Sequence, residues 1–301
     1  MFQLSSCCNG VKVLVIGAKG MLGGYLVEIF SEGNEVLAWD RNDIDITDFH
    51  NSKFLILNSG AELLINAAAY NDVDRAESEP AKANQINGYA VGNLAKICFK
   101  LGIPLVHFST DNVFDGEKKE GYQEADEPNP VSAYGRSKLL GERELLKNAD
   151  KYYLIRLSRL FGKPAQSKTA KKSFVEVMLD LAQIKNEISV IDEEVSTFTY
   201  AYDLANHIKY ILNQKMPYGI YHCVNSGGAT WYEVAKEIFK IRGVTTKLNP
   251  VSSDDFSRLA KRPRFSILLN TKLPVMRSWQ EALQEFLKSE SGWVWKNKFD
   301  R

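Results

Sequence analysis

The stretch VKVLVIGAKGMLG, residues 11–23, decides the fold class of this chain. Its first half is a short apolar run rich in β-branched residues, which predicts a strand, and apolar residues at helical spacing then continue to residue 30. The glycines between the two patterns permit a tight turn and let backbone N–H groups approach a pyrophosphate at the helix N-terminus. The stretch therefore predicts a dinucleotide site. A glycine turn needed only for packing is the alternative, since the spacing is GxxGxxG rather than GxGxxG.

Four more apolar runs follow, at residues 35–40, 63–68, 104–109 and 152–157, and helical patterns at about 80–100 and 133–147 separate the later ones. Apolar strands separated by helices need crossover connections, which produce a parallel sheet covered on both faces. The sequence therefore predicts an α/β fold with a Rossmann-type, doubly wound parallel sheet.

The alternation of strands and helices loosens after residue 161. We predict an NAD(P)-binding Rossmann domain at residues 11–162 and a smaller, mainly substrate-binding C-terminal lobe at 163–301, interleaved with the first domain. The basic segment at 168–172 is interpreted as part of a solvated loop, with a mobile lid over an anionic ligand as the alternative.

The composition narrows the class of protein. The 301 residues are 45% hydrophobic and 25% charged, with a mean hydropathy of −0.26, which is typical of a soluble globular protein. At roughly 100–200 residues per domain, this length fits two domains, or one large α/β domain with an appendage. The net charge of +1 argues against nucleic acid or a membrane surface as a partner.

The N-terminal tail, residues 1–10, lacks the basic start and long apolar run of a secretory signal. No run of about 18 apolar residues occurs elsewhere. We therefore expect a cytoplasmic protein with a disordered leader, and lipidation of the Cys7-Cys8 pair is the alternative. Trp293 and Trp295 are expected to anchor the other end of the chain on the surface or on a partner.

The cysteines and histidines do not show the spacing of a disulfide framework or of a metal site, so no metal is predicted. Cys98 and Cys223 are expected to be buried as small apolar residues. The histidines at positions 50, 107, 207 and 222 are expected to be structural or exposed rather than catalytic.

Asp40 closes the second strand pattern, where a carboxylate can accept hydrogen bonds from the adenosine ribose of NAD. Arg41 follows it and Lys19 lies in the glycine turn, and these cations can instead bind the 2′-phosphate of NADP. We favour NADPH as the cofactor and leave NADH open, because an acid and two bases compete for the same group.

A second signal is YGRSK at residues 134–138, because a tyrosine and a lysine four residues apart lie on one face of a helix. A phenol with a pKa of about 10 is a poor acid at neutral pH. A nearby ammonium is expected to stabilise the phenolate and lower that pKa, so that the phenol can protonate a developing alkoxide. The same ammonium can bind the nicotinamide ribose. Ser109-Thr110-Asp111 ends the fourth strand pattern, at the edge where a parallel sheet meets its ligand. These residues predict a proton donor beside the dinucleotide.

These motifs resemble those of the extended short-chain dehydrogenase/reductases, and within them the dTDP-4-dehydrorhamnose reductases. The resemblance runs from about residue 11 to residue 287. The matching stretches are INAAAY at 65–70, VD at 73–74, AESEP at 76–80, FSTD at 108–111, VFDG at 113–116, YGRSK at 134–138 and GE at 141–142. Weaker matches are DLA at 203–205, GIYH at 219–222, TWY at 230–232 and KRP at 261–263.

The resemblance implies reduction of the 4-keto group of a nucleotide-activated 6-deoxyhexose by NAD(P)H, in deoxysugar or surface-glycan biosynthesis. It implies that Tyr134 is the proton donor, that Lys138 is its partner, and that Thr110 hydrogen-bonds the substrate carbonyl. Ser109 and Asp111 are expected beside Thr110 at the substrate.

Fifteen residues are expected at the cofactor. They are Gly17, Lys19, Gly20, Met21, Leu22, Gly23, Asp40, Arg41, Asp45, Ile46, Ala67, Ala68, Ala69, Tyr134 and Lys138. Asp45 and Ile46 resemble the segment that brackets the adenine. A helix N-cap formed by Asp45 or Thr47 is another role for that segment, and both roles can hold together.

The departures from the family lie on the substrate side. This chain has Asn112 where family members usually have tyrosine, and Arg159 where they usually have tryptophan. Their Asp-Gln-x-Gly-x-Pro-Thr segment appears here as EEVSTFT, residues 193–199, which keeps only the final threonine. An arginine can clamp a phosphate or carboxylate, so Arg159 is expected to bind substrate. We expect the chemistry to be kept and the specificity to be changed.

The expected partner is a nucleotide-sugar substrate, with the nucleotide, the sugar and the oligomeric state left open, a homodimer included. The altered substrate positions also motivate a second hypothesis, a non-catalytic dinucleotide-binding regulatory subunit, the role of some relatives in methionine adenosyltransferase complexes. The complete set of Thr110, Tyr134 and Lys138 favours the enzyme, because a non-catalytic subunit is free to lose it.

Overall fold

The computed structural model of the protein describes residues 10–167 and 170–289. Cys7, Cys8, Lys168, Trp293 and Trp295 lie outside the described residues, so the expectations for them stay predictions.

The strands share a short length and lie mostly at buried positions. They are β1 (Lys12–Ile16), β2 (Glu35–Trp39), β3 (Leu63–Asn66), β4 (Leu105–Thr110), β5 (Tyr152–Leu157), β6 (Leu160–Phe161), β7 (Glu187–Ile191), β8 (Val195–Thr197), β9 (Thr199–Tyr200), β10 (Gly219–His222), β11 (Asn225–Ser226), β12 (Gly228–Ala229), β13 (Lys247–Val251), β14 (Phe265–Ser266) and β15 (Met276–Ser278).

The helices fill the connections between these strands. They are α1 (Met21–Phe30), α2 (Phe49–Ser59), α3 (Arg75–Ser78), α4 (Pro80–Asn84), α5 (Ala90–Leu101), α6 (Ala133–Asn148), α7 (Phe174–Ala182), α8 (Ala201–Asn213), α9 (Trp231–Arg242) and α10 (Trp279–Lys288).

The central sheet has six parallel strands in the order β10-β5-β4-β3-β1-β2, which confirms the predicted parallel α/β architecture. Alternate residues of each strand enter opposite cores. Val13 and Val15 of β1 pack in a core with α1 and α8, whereas Leu14 and Ile16 pack in another with α2 and α5. Burial of both faces explains why these strands are continuous apolar runs.

The predicted helix at about 80–100 is interrupted. It consists of α4, a π-helical turn at Gln85–Tyr89 and α5. Helix α2 was not predicted, because it buries only Ser52 and Ile56 and so has little apolar periodicity.

The second half of the chain forms small sheets, of which the three-stranded one has the order β12-β8-β14. This half also supplies β10, which pairs with β5 at the edge of the central sheet, and α8, which packs against α1. The apolar core beside α1 continues into this small lobe through Phe198, Val234 and Phe286. The boundary at residue 162 stays a prediction. Over residues 10–167 and 170–289, no helix has the length and apolar character to cross a membrane.

The glycine turn after β1 packs backbone against backbone. Gly17 has a φ of +82°, and a Cβ atom there would lie 2.7 Å from the Ala68 nitrogen. A Cβ atom on Gly23 would lie 2.1 Å from the Gly17 carbonyl oxygen. The N–H groups of Gly17 and Ala18 both donate to the carbonyl of Trp39, which ties the turn to the end of β2.

We expect Gly23→Ala to lower the free energy of unfolding by about 1–3 kcal/mol, because the added methyl group overlaps the Gly17 carbonyl. Gly24→Ala is the matched control in the same helix, since a Cβ atom there meets no atom of the described residues within 4 Å. That control is expected to gain up to about 1 kcal/mol, because glycine is a poor helix former. Urea unfolding measures both changes. Equal stabilities for the two variants would contradict the tight packing.

Candidate active site

The carboxyl ends of the central strands meet α6 at one edge of the sheet, the position where open α/β sheets bind ligands. Gly17 and Ala68, which follow β1 and β3, are in contact there. Thr110 at the end of β4 hydrogen-bonds Tyr134 of α6. The structure therefore brings the glycine turn and the predicted proton-transfer residues to one edge of the sheet.

The glycine turn and the start of α1 form a cradle of bare backbone, which we call the glycine cradle (residues 17–23). Gly20 is the N-cap residue of α1, and this helix end is not capped by a side chain of the part of the chain that the structure describes. A helix N-terminus of this kind directs N–H groups and a partial positive charge at an anion. A Cβ atom on Gly17 or Gly23 would clash with backbone of the protein itself, so both glycines are required for packing. The contact of this helix end with a pyrophosphate stays a prediction.

Ala67, Ala68 and Ala69 continue the wall of this crevice from the end of β3, and all three are half-buried. The third strand ends at Asn66 rather than at residue 68 as predicted. The chain turns here because the Ala67 N–H donates to the Ile16 carbonyl and the Ala68 N–H donates to Oδ1 of Asn66.

The end of β2 carries the residues predicted to bind the adenosine ribose. The Lys19 Nζ lies 3.9 Å from Oδ2 of Asp40, and Arg41 is exposed beside them. An acidic and a basic side chain therefore lie together at the end of β2. The predicted contacts of these residues with a ribose hydroxyl or a 2′-phosphate stay predictions.

The segment predicted at the adenine forms a turn before α2. Oδ1 of Asp45 accepts hydrogen bonds from the backbone and side chain of Thr47, and these bonds lower the Asp45 pKa. Ile46 is buried. The expectation that Asp45 or Thr47 caps the helix is wrong, because the N-cap is Asp48, which accepts from the Asn51 N–H.

The basic loop after β6 reaches both sides of the crevice mouth. The Ser167 N–H donates to the Lys19 carbonyl at the glycine cradle. The Lys171 Nζ lies 2.8 Å from Oδ1 of Asp72, beyond β3. Whether the loop acts as a lid stays a prediction.

Tyr134 lies in the first turn of α6 and is only 8% exposed. The helix begins there because Ser132 caps it by accepting the Gly135 N–H, and Glu77 accepts the Ala133 N–H. Burial raises the pKa of Tyr134 to about 12, and a hydrogen bond with Thr110 acts in the opposite direction. The expectation that Lys138 lowers this pKa is therefore wrong for the protein without ligands, because burial outweighs the other effects and keeps the phenol protonated at neutral pH.

Lys138 lies one turn further along the same face of α6. Its Nζ donates to the Phe108 carbonyl in β4 at 2.5 Å. Burial lowers the pKa of Lys138 to about 8, while the negative charge of Glu142 raises it. The hydrogen bond thus fixes the position of the ammonium. Its charge is lost as the pH rises through about 8.

Glu142, the next residue along this face, forms a buried ion pair with Arg156 of β5. The Arg156 Nε and Nη2 atoms lie 3.0 and 2.8 Å from the two carboxylate oxygens. The Ser109 hydroxyl donates to Oε1 of Glu142 at 2.5 Å. The bidentate geometry satisfies both charges, which is the condition under which a buried pair is tolerated.

The structure directs two of the predicted substrate side chains into the protein instead. Ser109 is bound to Glu142, and the Asp111 carboxylate accepts hydrogen bonds from neighbouring side chains on both oxygens. Both residues are buried to 3% exposure. Their positions at the end of β4 agree with the sequence, but their polar atoms are occupied.

Arg159 follows β5 in the left-handed region, with a φ of +37°. Its guanidinium is stacked 4.0 Å from the Trp231 ring centroid and donates to the carbonyls of Ala229 and Glu194. Burial lowers the pKa of Arg159 to about 10, and the charges of Asp111 and Glu194 raise it. The residue is therefore a fixed cation near the end of β4.

Glu194 lies in the segment 193–199, which departs from the family pattern, and its carboxylate contacts Trp231 and Arg258. Trp231 Nε1 donates to its Oε2 at 3.1 Å, and Arg258 pairs with its Oε1. The final threonine of the segment, Thr199, has a buried hydroxyl without a hydrogen-bond partner among the described residues. Asn112 donates from its side chain to Oδ1 of Asp111.

Sequence reasoning missed Asn87, in the π-helical turn. Its side chain accepts the Tyr70 N–H and donates to the Tyr70 carbonyl and to the Ser137 hydroxyl. It therefore ties the segment after β3 to α6, close to Tyr134 and Lys138. A polar residue at a buried helical position is the only signal that the sequence offers for it.

Two histidines and two cysteines are buried in the protein interior. His107 and His222 are buried, and burial lowers the pKa of each. Cys98 and Cys223 are buried free thiols, as expected. Among residues 10–167 and 170–289, no cluster of histidine, cysteine and acidic side chains has the arrangement of a metal site.

Arg156→Met is expected to lower the free energy of unfolding by about 3–5 kcal/mol, because it leaves the Glu142 carboxylate buried and unpaired. The double variant Glu142→Leu/Arg156→Met removes both charges and is expected to recover most of that loss. Urea unfolding with a common slope measures the difference. A double variant no more stable than the single one would show that the pair is not the cause.

Comparison with known proteins agrees with this geometry. Residues 11–291 match the family described as RmlD substrate binding domain. The spore coat polysaccharide biosynthesis protein SpsK of Bacillus subtilis is 34% identical over 285 residues, which cover 93% of this chain and 98% of that protein. A dTDP-4-dehydrorhamnose reductase of Mycolicibacterium smegmatis is 33% identical over 289 residues, covering 93% and 86% of the two chains.

A solved structure gives the same result. The dTDP-4-dehydrorhamnose reductase of Bacillus anthracis, in complex with NADP, superimposes with a TM-score of 0.88 at 33% identity and covers 92% of this chain and 99% of that one. The chain therefore belongs to the RmlD substrate-binding domain family.

Proposed function

We propose that this protein is an NADPH-dependent reductase of the dTDP-4-dehydrorhamnose reductase type, acting on the 4-keto group of a nucleotide-activated 6-deoxyhexose. The observation that carries the proposal is that Thr110, Tyr134 and Lys138 come together at the end of β4, on the sheet edge that also holds the glycine cradle. Relatives with that name, one of them solved with NADP, support it. The regulatory alternative is disfavoured, because the three residues that a non-catalytic subunit can lose are present and in place.

The proton transfer follows from the groups around Tyr134. When bound, NADPH supplies the hydride that adds to the carbonyl carbon. Thr110 hydrogen-bonds the carbonyl oxygen, and Tyr134 gives its phenolic proton to the same oxygen as negative charge develops on it. The Lys138 ammonium stabilises the phenolate that remains, which then regains a proton from solvent.

We propose that the cofactor lies along the edge of the sheet from β2 to β4. The glycine cradle, with Met21 and Leu22 at the start of α1, would hold the pyrophosphate. Lys19, Arg41 and Asp40 would hold the adenosine ribose and its phosphate. The remaining proposed contacts come from the adenine turn, the β3 wall and α6, through Asp45, Ile46, Ala67, Ala68, Ala69, Tyr134 and Lys138.

On the substrate side, we propose that Arg159 binds the anionic part of the nucleotide sugar. Its stack on Trp231 fixes the orientation of the guanidinium. A phosphate would compete there with the carbonyls of Ala229 and Glu194 and with the Glu194 carboxylate. A planar, permanently charged group of this kind favours phosphate oxygens.

Tyr134→Phe is expected to lower kcat by about 10²–10⁴-fold, because the proton donor is lost, while the affinity for NADPH is nearly unchanged. Tyr152→Phe is the matched control at the opposite end of the sheet, at the start of β5. NADPH oxidation is followed with dTDP-, UDP-, GDP- and CDP-linked 4-keto-6-deoxy sugars. Full activity in Tyr134→Phe would refute the mechanism, and no turnover of any sugar by the unaltered protein would favour the regulatory alternative.

The affinity for NADPH is expected to weaken as the pH rises through about 8, because Lys138, whose pKa burial lowers to about 8, then loses its charge. The loss is up to about tenfold per pH unit. Below that pH the ammonium is present and the affinity is level. Lys138→Arg keeps its charge at all these pH values, so its affinity, measured by NADPH fluorescence, should not show this decline. The same decline in both proteins would assign it to another group.

A further inference from the structure

The carboxylate of Asp111 is a buried junction between the end of β4 and the small lobe. Its Oδ2 atom lies 2.8 Å from the Ser158 hydroxyl, 2.9 Å from that of Ser196 and 2.6 Å from that of Ser266. Its Oδ1 atom lies 3.0 Å from both the Thr110 hydroxyl and the Asn112 side-chain nitrogen. We call Asp111 and the three serines the serine clasp.

The three serines come from separate segments of the chain. Ser158 follows β5, Ser196 lies in β8 and Ser266 lies in β14. The last two face each other in the parallel pairing of β8 with β14. One carboxylate thus joins the central sheet to the three-stranded sheet of the small lobe.

The clasp leaves Asp111 without acceptor capacity for a substrate. The oxygens of Ser158 and Ser196 also lie 2.7 Å apart, so one of these hydroxyls can donate to the other. The Asp111 carboxylate has about four lone-pair sites. It still accepts four hydrogen bonds, from Ser266, Thr110, Asn112 and either Ser158 or Ser196. A sugar hydroxyl would have to displace one of them.

The clasp also determines the orientation of Thr110. Its hydroxyl oxygen accepts the Asn112 N–H at 3.2 Å, while its hydrogen is directed to Oδ1 of Asp111. The oxygen is thereby held from two sides, and only its hydrogen needs to rotate to reach a carbonyl oxygen. Arg159, which immediately follows Ser158, is placed by the same junction.

We infer that Asp111 is a positioning residue: through the serine clasp, docking of the small lobe sets the orientation of the catalytic hydroxyl of Thr110. This inference rests on the proposed role of Thr110 as the ligand of the substrate carbonyl. It replaces the expectation that Asp111 itself contacts the sugar.

Two variants test the inference through the split between kcat and KM. Asp111→Asn puts an amide where the clasp needs a second acceptor oxygen, and is expected to lower kcat on the order of 100-fold. Ser196→Ala/Ser266→Ala keeps the carboxylate but removes two of its donors, and is expected to lower kcat in the same direction by roughly tenfold. In both, the KM for the sugar and the affinity for NADPH should stay close to those of the unaltered protein.

Other outcomes overturn the inference. If Asp111 binds the sugar directly, Asp111→Asn raises KM and the double serine variant changes neither constant. If the clasp only stabilises the fold, both variants melt at a lower temperature with kcat per folded molecule unchanged. Should Asp111→Asn fail to fold, the single variant Ser266→Ala gives the same comparison.

Backbone hydrogen exchange separates this inference from the proposed function, because it does not depend on turnover. In Ser266→Ala, protection should fall both in β8 and β14 and in the turn at Asp111–Val113 that follows Thr110. A loss confined to the small lobe would overturn the inference even in an active reductase. If protection falls in both regions but the unaltered protein reduces none of the sugars, the inference about the serine clasp holds and the proposed function is refuted.

Discussion

The close approach of α6 to the end of β4 is the constraint on which the active site depends. A Cβ atom on Gly135 would lie 2.2 Å from the Asn112 carbonyl oxygen, and one on Gly141 would lie 2.0 Å from the Asn87 carbonyl oxygen. Only glycine allows a helix to lie so near to neighbouring backbone. This spacing brings Tyr134 to Thr110 and the Lys138 ammonium to a carbonyl of β4.

The same close packing removes water from ionisable groups, with opposite effects on the two that matter most. Burial raises the pKa of the Tyr134 phenol and lowers that of the Lys138 ammonium, because it disfavours the charged form of each. The Glu142 carboxylate, which pairs with Arg156, also acts on Lys138 and partly offsets the effect of burial by raising its pKa. The site is thus prepared to hold a neutral donor next to a cation, which is the protonation state that ketone reduction needs.

The small lobe is joined to the sheet by two kinds of contact. An apolar core runs from α1 into the lobe, and the serine clasp joins the end of β4 to β8 and β14. The apolar core stabilises the assembly without specifying atomic positions, whereas hydrogen bonds to a buried carboxylate are directional. Through these directional hydrogen bonds, the position of the small lobe can determine the orientation of the Thr110 hydroxyl at the end of β4.

Much of this protein was predictable from local sequence. Apolar runs between helical patterns predicted the parallel sheet, because burial on both faces leaves no polar alternation. Glycines between a strand and a helix predicted the cradle, and the spacing of four residues placed Tyr134 and Lys138 on one face. Helix α2 escaped prediction because it buries too little apolar surface, and the π-helical turn because its residues resemble those of an ordinary helix.

The sequence by itself determined the fold class and the glycine turn and predicted the candidate proton-transfer residues, since each depends on residues close together in the chain. Only the tertiary structure decided which hydrogen bonds and ion pairs the neighbouring polar residues form. Ser266 lies 155 positions from Asp111, and Arg156 lies 14 positions from Glu142 on a different element. Such partners have no shared periodicity, so the direction of a buried hydrogen bond emerges only when the strands and the small lobe have packed together.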